Sequence, residues 1–483
     1  MTPPNLPWVE LAIVLPLAGA IWVRLLRDPE LARRHSLIAC GLSLFCALAA
    51  WASLEMSAAP QTTDGSLAYG PSIGGFLFTI DSLSAPLLAL GALLYFLVVL
   101  ATLGAKLRLM SFASIMVSEA LLLATFSSTQ PWLLVLLLSL GTIPPWVELS
   151  ANHRPLRVYS LHALLFIGLL IAGETMLVVG QSQGEVSIAG IALLMAAALV
   201  RSGIFPLHCW MTDLFEHASF GTALLFIAPM VGAYAAVRLV FPVAPDWLLH
   251  GVAAISLATA LYSAGMAMVQ KDARRFFCYL FLSHSSLVFV GLEMASPVGV
   301  TGALCAWFSV GLTMAGFGLT LRSIETRTGR LSLDKFHGLY SHTPRLGALF
   351  LITGLASVGF PGTIGFIGAE LLVEGAMRAS PLVGIAIVVA AALNGLAVMH
   401  AYFRVFTGTQ HMSSINLRSR PPEVIAILVL SALILGGGFY PQPGVASRYT
   451  IATELVERRQ QSLDPADRQV AKVGVAMNAD APE

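Results

Sequence analysis

The chain has 483 residues, 57% of them hydrophobic and 11% charged, with a formal charge of +1 and a mean hydropathy of +0.80. Soluble domains carry about 25% charged residues, so this composition excludes a soluble enzyme and reads as a polytopic membrane protein. The balanced charge offers no electrostatic case for nucleic acid.

Apolar runs of spanning length fall at about 8–26, 36–55, 80–104, 108–127, 130–150, 158–180 and 187–210. More follow at about 219–241, 248–270, 273–293, 299–321, 344–372, 380–406 and 422–442. Together they predict about fourteen transmembrane helices in an all-α fold. The first run begins at Trp8 with no basic segment before it and no cleavage site after it, so no signal peptide is read there. The Gly-, Ser-, Pro- and Thr-rich stretch from Met56 to Phe76 reads as an outer loop. The run at 344–372 holds Pro361 with glycines close by and is expected to break.

Charge placement tests this order. Alternate connections hold Arg24, Arg27, Arg33 and Arg34, then Lys106 and Arg108, then Arg154 and Arg157. Later ones hold Lys271, Arg274 and Arg275, then Arg322, Arg327, Arg330, Lys335 and Arg345, then Arg404, Arg418 and Arg420. The connections between them are nearly free of basic residues, Arg238 and Arg378 excepted. That alternation follows the positive-inside rule with the N-terminus outside. An even number of spans then returns the C-terminal segment to the outer side. Its last part, Glu454 to Glu483, is polar and expected to be loosely ordered. Five cysteines (Cys40, Cys46, Cys209, Cys278, Cys305) lie in or beside apolar runs without ligand spacing, which suits small apolar packers and supports no metal or haem site.

The stretch Leu199 to His217 carries the chemistry: an apolar run from near Ile188 ends in Arg201, Gly203 and Pro206, then two histidines and two acids. A guanidinium at membrane depth costs at least a few kcal/mol unless it meets a partner or water. A helix break there survives only inside protein or beside a wet cavity.

From Asp81 to Pro443 the chain resembles the antiporter-like, proton-translocating subunits of respiratory complex I, with the M-type subunit the best match. The pieces that carry the resemblance are DSLSAPLLAL (81–90), VRSGIFPLHCWMTD (200–213) and QKDARRFFCYLFLSHSS (270–286). PRLGALFLITGLASVGFPGTIGFIG (344–368) and GFYPQP (438–443) follow in the same order. The resemblance implies two inverted five-helix repeats, each with one broken helix, here 187–210 and 344–372, and a polar hydrated axis at mid-membrane. It divides the chain into N-terminal helices and outer loop (1–79), an antiporter-like core (80–443) and a polar tail (444–483).

The resemblance places Arg201 where relatives usually carry a lysine, so a fixed charge replaces one that can titrate. Within that axis, Arg201 is either an electrostatic element of a proton path or a structural cation. His284, beside Ser283, Ser285 and Ser286, matches the family's histidine and is a candidate relay. The alternative is a neutral, structurally bonded imidazole. Glu119 and Glu174 are lone acids inside spans, and either is a candidate partner for Arg201, with neutral burial as the alternative. His208 is expected to orient the broken helix by bonding a freed carbonyl. Asp213, Glu216 and His217 read as an inner-side entrance or as a solvated cap. Glu148 lies about two and a half turns past Ser139, nearer the inner surface. Arg274 and Arg275 read as topology and headgroup anchors.

Several positions depart from the family. Ser139 stands in place of a glutamate, Met230 in place of a second lysine, and Val310 in place of a second histidine. Ala369 occupies the Glu or Lys position after the PGT turn, with Glu370 one residue later. A one-residue shift turns a helical side chain by about 100°, so Glu370 substitutes only if the break re-aims it.

The expected role is therefore a non-catalytic, proton-conducting or proton-pumping subunit of a complex I-like NADH–quinone oxidoreductase. It would work among other membrane subunits and lipid, bind no cofactor itself, and meet NADH and quinone only through partners. The expected location is a bacterial inner membrane. Two alternatives remain open: a scaffold subunit that has lost pumping, or a membrane partner of an inorganic-carbon uptake or cation/proton antiporter complex.

Overall fold

A computed structural model describes residues 6–56, 72–75, 77–102, 111–183, 186–409 and 419–462. Most of the Met56–Phe76 loop, Lys106, Arg108, Arg418 and the tail beyond 462 lie outside the described residues. Among the described residues, ten segments are long and apolar enough to cross a membrane, and four shorter apolar helices accompany them. The protein is an all-α, polytopic membrane protein, as its composition demands.

The first helices, α1 (Trp8–Leu25) and α2 (Pro29–Met56), pack on each other and on α4 (Phe112–Phe126). A two-stranded ribbon, β1 (Ser72–Gly74) with β2 (Thr79–Asp81), pairs Ser72 with Asp81 and leads into α3 (Ser84–Leu100). The run at 130–150 is split into α5 (Pro131–Leu140) and α6 (Ile143–Ala151). Then come α7 (Arg157–Ser182), α8 (Ile188–Ser202) and α9 (Cys209–His217).

The run at 219–241 is not one continuous helix. It forms α10 (Phe220–Ile227), α11 (Val231–Ala235) and one π-helical turn, Ala236–Val240. Pro229 has no N–H to donate, and Met230 takes a left-handed conformation at φ 53°. After it follow α12 (Asp246–Val269), α13 (Ala273–Glu293) and α14 (Pro297–Thr328). The last group is α15 (Pro344–Ser357), α16 (Ile364–Ala379), α17 (Pro381–Phe406), α18 (Pro421–Phe439) and α19 (Gln442–Ser462).

Burial sorts these helices. The α10–α11 segment, α13 and α14 are covered nearly all round, whereas α1, α2, α7, α17 and α18 bury about one face. A helix that is apolar all round belongs inside, so α14 forms the central post, touching α13, α15, α16, α18 and α19. Side-chain caps start several helices: Ser111, Ser187, Ser219 and Ser296 accept from the first-turn amides, and Asp272 accepts from the amides of Arg274 and Arg275.

Both expected breaks are present. The first lies between α8 and α9, with Gly203 at φ 69°; the second lies between α15 and α16, with Gly359 at 83° and Gly362 at 84°. The loosely ordered tail is corrected in part: α19 carries the chain helically to Ser462. Arg459 of α19 is buried against the carbonyl of Ala244 and the carboxylate of Asp246, and Arg448 reaches the carbonyl of Ser82. The helix thus lies across the end of the bundle where α3, α12 and α14 begin.

The two exceptions to the charge alternation also have a structural reason. Arg238 is not in a connection at all. It lies fully buried in the π-helical turn, in a bidentate pair with Asp81 at 2.6 and 2.7 Å. Arg378, in the last turn of α16, pairs with Glu374 at 2.7 Å.

Candidate functional site

Arg201, in the last turn of α8, is buried within the bundle. Its Nη2 donates to the carbonyl of Phe226 at 2.8 Å, and its guanidinium carbon lies 3.7 Å from the Phe226 ring centroid and 5.6 Å from that of Trp210. The Phe226 carbonyl needs such a donor. In an unbroken helix it would accept from Met230, but the Met230 amide turns to Ile227 instead. Arg201 therefore closes the break that Pro229 opens, and Trp307 does the same for the carbonyl of Pro229 at 3.2 Å.

No carboxylate of the described residues pairs with Arg201, which overturns both expected partners. Glu119 is wholly buried on α4, faces Cys40 and Ser43 of α2, and neither of its oxygens has a hydrogen-bond partner. Glu174 lies on α7 near the edge of the bundle, with no ion pair among the described residues.

Small cavities take the place of an acid. Arg201 lines three of them, of about 20, 30 and 10 Å³. One water needs roughly 10–15 Å³, so each has the size of one or two waters. The first runs toward Tyr159 and His162 of α7, the second toward Tyr95 and Ser118, and the third toward Ser202, Met230 and Ser285. Tyr95 and Ser118 share a hydroxyl contact at 2.6 Å. Tyr95, Tyr159 and His162 were not picked out in the sequence. They sit in ordinary apolar runs, and only the packing of α3 and α7 beside α8 brings them to the site.

His284 is buried on α13, and its Nε2 has no hydrogen-bond partner. Its neighbours provide the polar ground: Ser283 accepts from Asn394 at 2.8 Å, and Ser285 lines the third Arg201 cavity. His208 does not bond a freed carbonyl as expected. It is packed among Phe205, Tyr262 and Tyr279 with Nδ1 unpartnered, and Trp210 Nε1 bonds the Val200 carbonyl at 2.9 Å instead.

At the basic end of the bundle a larger cavity of about 260 Å³ is lined by Glu148, Glu216, His217, Arg274, Arg322 and Glu325, among others. Glu148 accepts from the amide of Ser219 at 2.7 Å and from the Thr222 hydroxyl, so it caps α10. Asp213 meets His217 at 3.2 Å, and Glu216 meets Arg275 at 2.5 Å. That hydrogen bond with Arg275 holds Glu216 below the usual carboxylate range. Arg274 is no headgroup anchor: it grips Glu325 at 2.6 Å and donates to the carbonyls of Phe215 and Ala218. Asp213, Glu216 and His217 are thus members of an ion-paired cluster beside the first break.

The comparisons with known proteins agree with this architecture. Residues 159–394 match the family described as "NADH:quinone oxidoreductase/Mrp antiporter, TM". The NAD(P)H-quinone oxidoreductase chain 4 1 of Synechococcus elongatus is 26% identical over 501 residues, covering 96% of this chain and 93% of its own. Over that stretch the chain is similar to the antiporter-like membrane subunits. A chain of respiratory complex I from Thermus thermophilus superposes with a TM-score of 0.78 at 22% identity, over 93% of this chain and 99% of that one. A chain of the Mrp complex from Dietzia sp. DQ12-45-1b gives 0.76 at 16%, over 97% and 99%.

The departures from the resemblance take on a physical form. Ser139 bonds back to the Val135 carbonyl of its own helix at 2.7 Å. Met230 places a thioether, not an amine, in the third Arg201 cavity. Ala369 packs toward Gly359. Glu370 is exposed on α16 and the break does not re-aim it inward. Among the described residues of α15 to α18, no acid, lysine or histidine is buried at mid-span.

Proposed function

We propose that this chain conducts or pumps protons as an antiporter-like membrane subunit of a complex I-like NADH–quinone oxidoreductase. Redox chemistry belongs to partner subunits, and the chain lies in a bacterial inner membrane with its N-terminus outside. The observation that carries the reading is Arg201: a buried cation with no carboxylate partner among the described residues, at the meeting point of three water-sized cavities beside a broken helix. A guanidinium effectively never deprotonates, so Arg201 orders water and biases its neighbours rather than carrying the proton. Tyr95, Ser118, Tyr159, His162 and Ser285 supply the exchangeable groups around it, and His284 continues along α13.

A second reading, a scaffold that has lost pumping, is favoured by the Phe226 carbonyl that Arg201 holds and by Ser139, Met230 and Ala369. Proton uptake by proteoliposomes containing the intact complex separates the two. Wild type is compared with Arg201→Ala, Arg201→Lys and His284→Ala, each checked for assembly. The proton-path reading expects most uptake to vanish in both alanine variants of an assembled complex, and Arg201→Lys to retain part of it. Full uptake in both alanine variants would leave the scaffold reading in place.

A further inference from the structure

A cavity of about 460 Å³ lies far from Arg201, under α19 at the end of the bundle where α1 begins. Its volume falls in the ordinary range for small-molecule sites. Its rim and its depth differ in character. At the rim stand Arg448 of α19 with Glu55 and Trp51 from the last turns of α2. Cys305, Phe308 and Ile367 line its apolar wall. Cys305 and Phe308 lie about 12 and 17 Å along α14 from its start, so the space runs from the end of the bundle into apolar depth.

Arg448 is the odd arginine of that end. Arg238, Arg378, Arg458 and Arg459 each pair with a carboxylate. Arg448 has none among the described residues, only long contacts to the Ser82 carbonyl at 3.3 Å and the Ser447 hydroxyl at 3.5 Å. Glu55 lines the same cavity without pairing to it, taking one hydrogen bond from Trp51 Nε1 at 3.1 Å. A cation and an anion that share a rim without touching are complementary to a ligand that carries both charges a few ångströms apart.

We propose that this cavity binds an aminophospholipid of the outer leaflet. Its phosphate meets Arg448, its ammonium lies between Glu55 and the Trp51 ring, and one acyl chain runs down past Cys305, Phe308 and Ile367. An ammonium over an indole face gains cation–π attraction in addition to the carboxylate. The inference rests on the membrane placement proposed above, and its test reads lipid binding, so it stands or falls apart from proton transport.

The test uses the intact complex, delipidated in detergent and reloaded from mixed micelles of either phosphatidylethanolamine or phosphatidylglycerol, with retained lipid counted by mass spectrometry. Phosphatidylethanolamine is expected to remain bound to wild type. Losing a charged hydrogen bond should weaken it at least about tenfold in Arg448→Gln and in Glu55→Gln. A photoreactive phenylalanine analogue at Phe308 is expected to yield a lipid adduct. Equal retention by wild type and both variants, equal affinity for phosphatidylglycerol, or an adduct to a neighbouring polypeptide would each overturn the proposal.

Discussion

Arg238 and Asp81 show how one residue pair can carry a helix that its own backbone does not hold. The π-helical turn around Arg238 follows α11, one short helix beyond the break at Pro229, and Asp81 ties it to the start of α3, 157 positions away in sequence. Asp81 also accepts from the amide of Ser84, so it caps α3 with the same carboxylate. Removing one member of a wholly buried pair leaves an uncompensated charge, at a cost of about 3–5 kcal/mol. Asp81→Ala and Arg238→Ala should each lower the thermal midpoint of the purified complex by several degrees, and the double variant by less than their sum. An additive result would mean the two side chains do not act as a pair. Glu216 is the gentler case. Its folded value is depressed by Arg275, so its contribution is complete above the ordinary glutamate range near about pH 4.3 and is lost as pH falls through the lower folded value. The stability difference between wild type and Glu216→Gln should be small, present at neutral pH, and absent in strong acid. A difference that grows on acidification would contradict this sign.

The helices themselves were largely legible in the sequence, and their interruptions only in part. Spanning runs announce themselves through length and apolar composition, which a bilayer imposes on every span alike. The breaks at 203–208 and 358–363 could be read because glycine and proline fall together there. Pro229 and the Pro144–Pro145 pair carry the same warning, but length and apolar composition alone give 219–241 and 130–150 one span each. The partner of Arg201 could not be read at all. It is a carbonyl set free by the Pro229 break, and nothing in the identity of Phe226 marks it. Glu119 and Glu174 looked eligible only because spacing along a chain does not tell which face of α4 or α7 meets α8. Close approach at the second break can be tested directly. A Cβ on Gly365 would lie 1.9 Å from the Ala356 carbonyl oxygen. Gly365→Ala must therefore push α16 away from α15, at about 1–3 kcal/mol or more. Loss of assembly, or a marked fall in thermal midpoint, is expected. Normal stability would mean that the two halves of this span sit farther apart than described.

At the scale of the whole molecule, the two ends of the bundle differ in a way that fixes an orientation prediction. One end gathers Arg274, Arg322 and Arg330 with Glu216 and Glu325 around the 260 Å³ cavity, and also holds the pairs Arg275–Glu216 and Arg327–Glu423. The other is closed by α19, whose arginines reach Ser82, Ala244 and Asp246. Lysine and arginine in short connections set topology because they resist translocation, whereas acids contribute little. Arg238 does not weigh against this, since it is buried inside the bundle and not displayed in a connection. Lys271 stands exposed at the basic end and Thr450 exposed on α19. In a background where the exposed Cys209 is replaced by serine, Thr450→Cys should react with a membrane-impermeant maleimide in intact cells. Lys271→Cys should react only in inverted vesicles. The reverse pattern would turn the molecule over in the membrane, placing the ion-paired cavity on the outer side and the lipid proposed for Arg448 in the inner leaflet. Labelling of both from one side would break the odd count of crossings between Lys271 and Thr450, made by α13, α14, the broken α15–α16 span, α17 and α18, and with it the fourteen-span frame on which the Arg201 axis is placed.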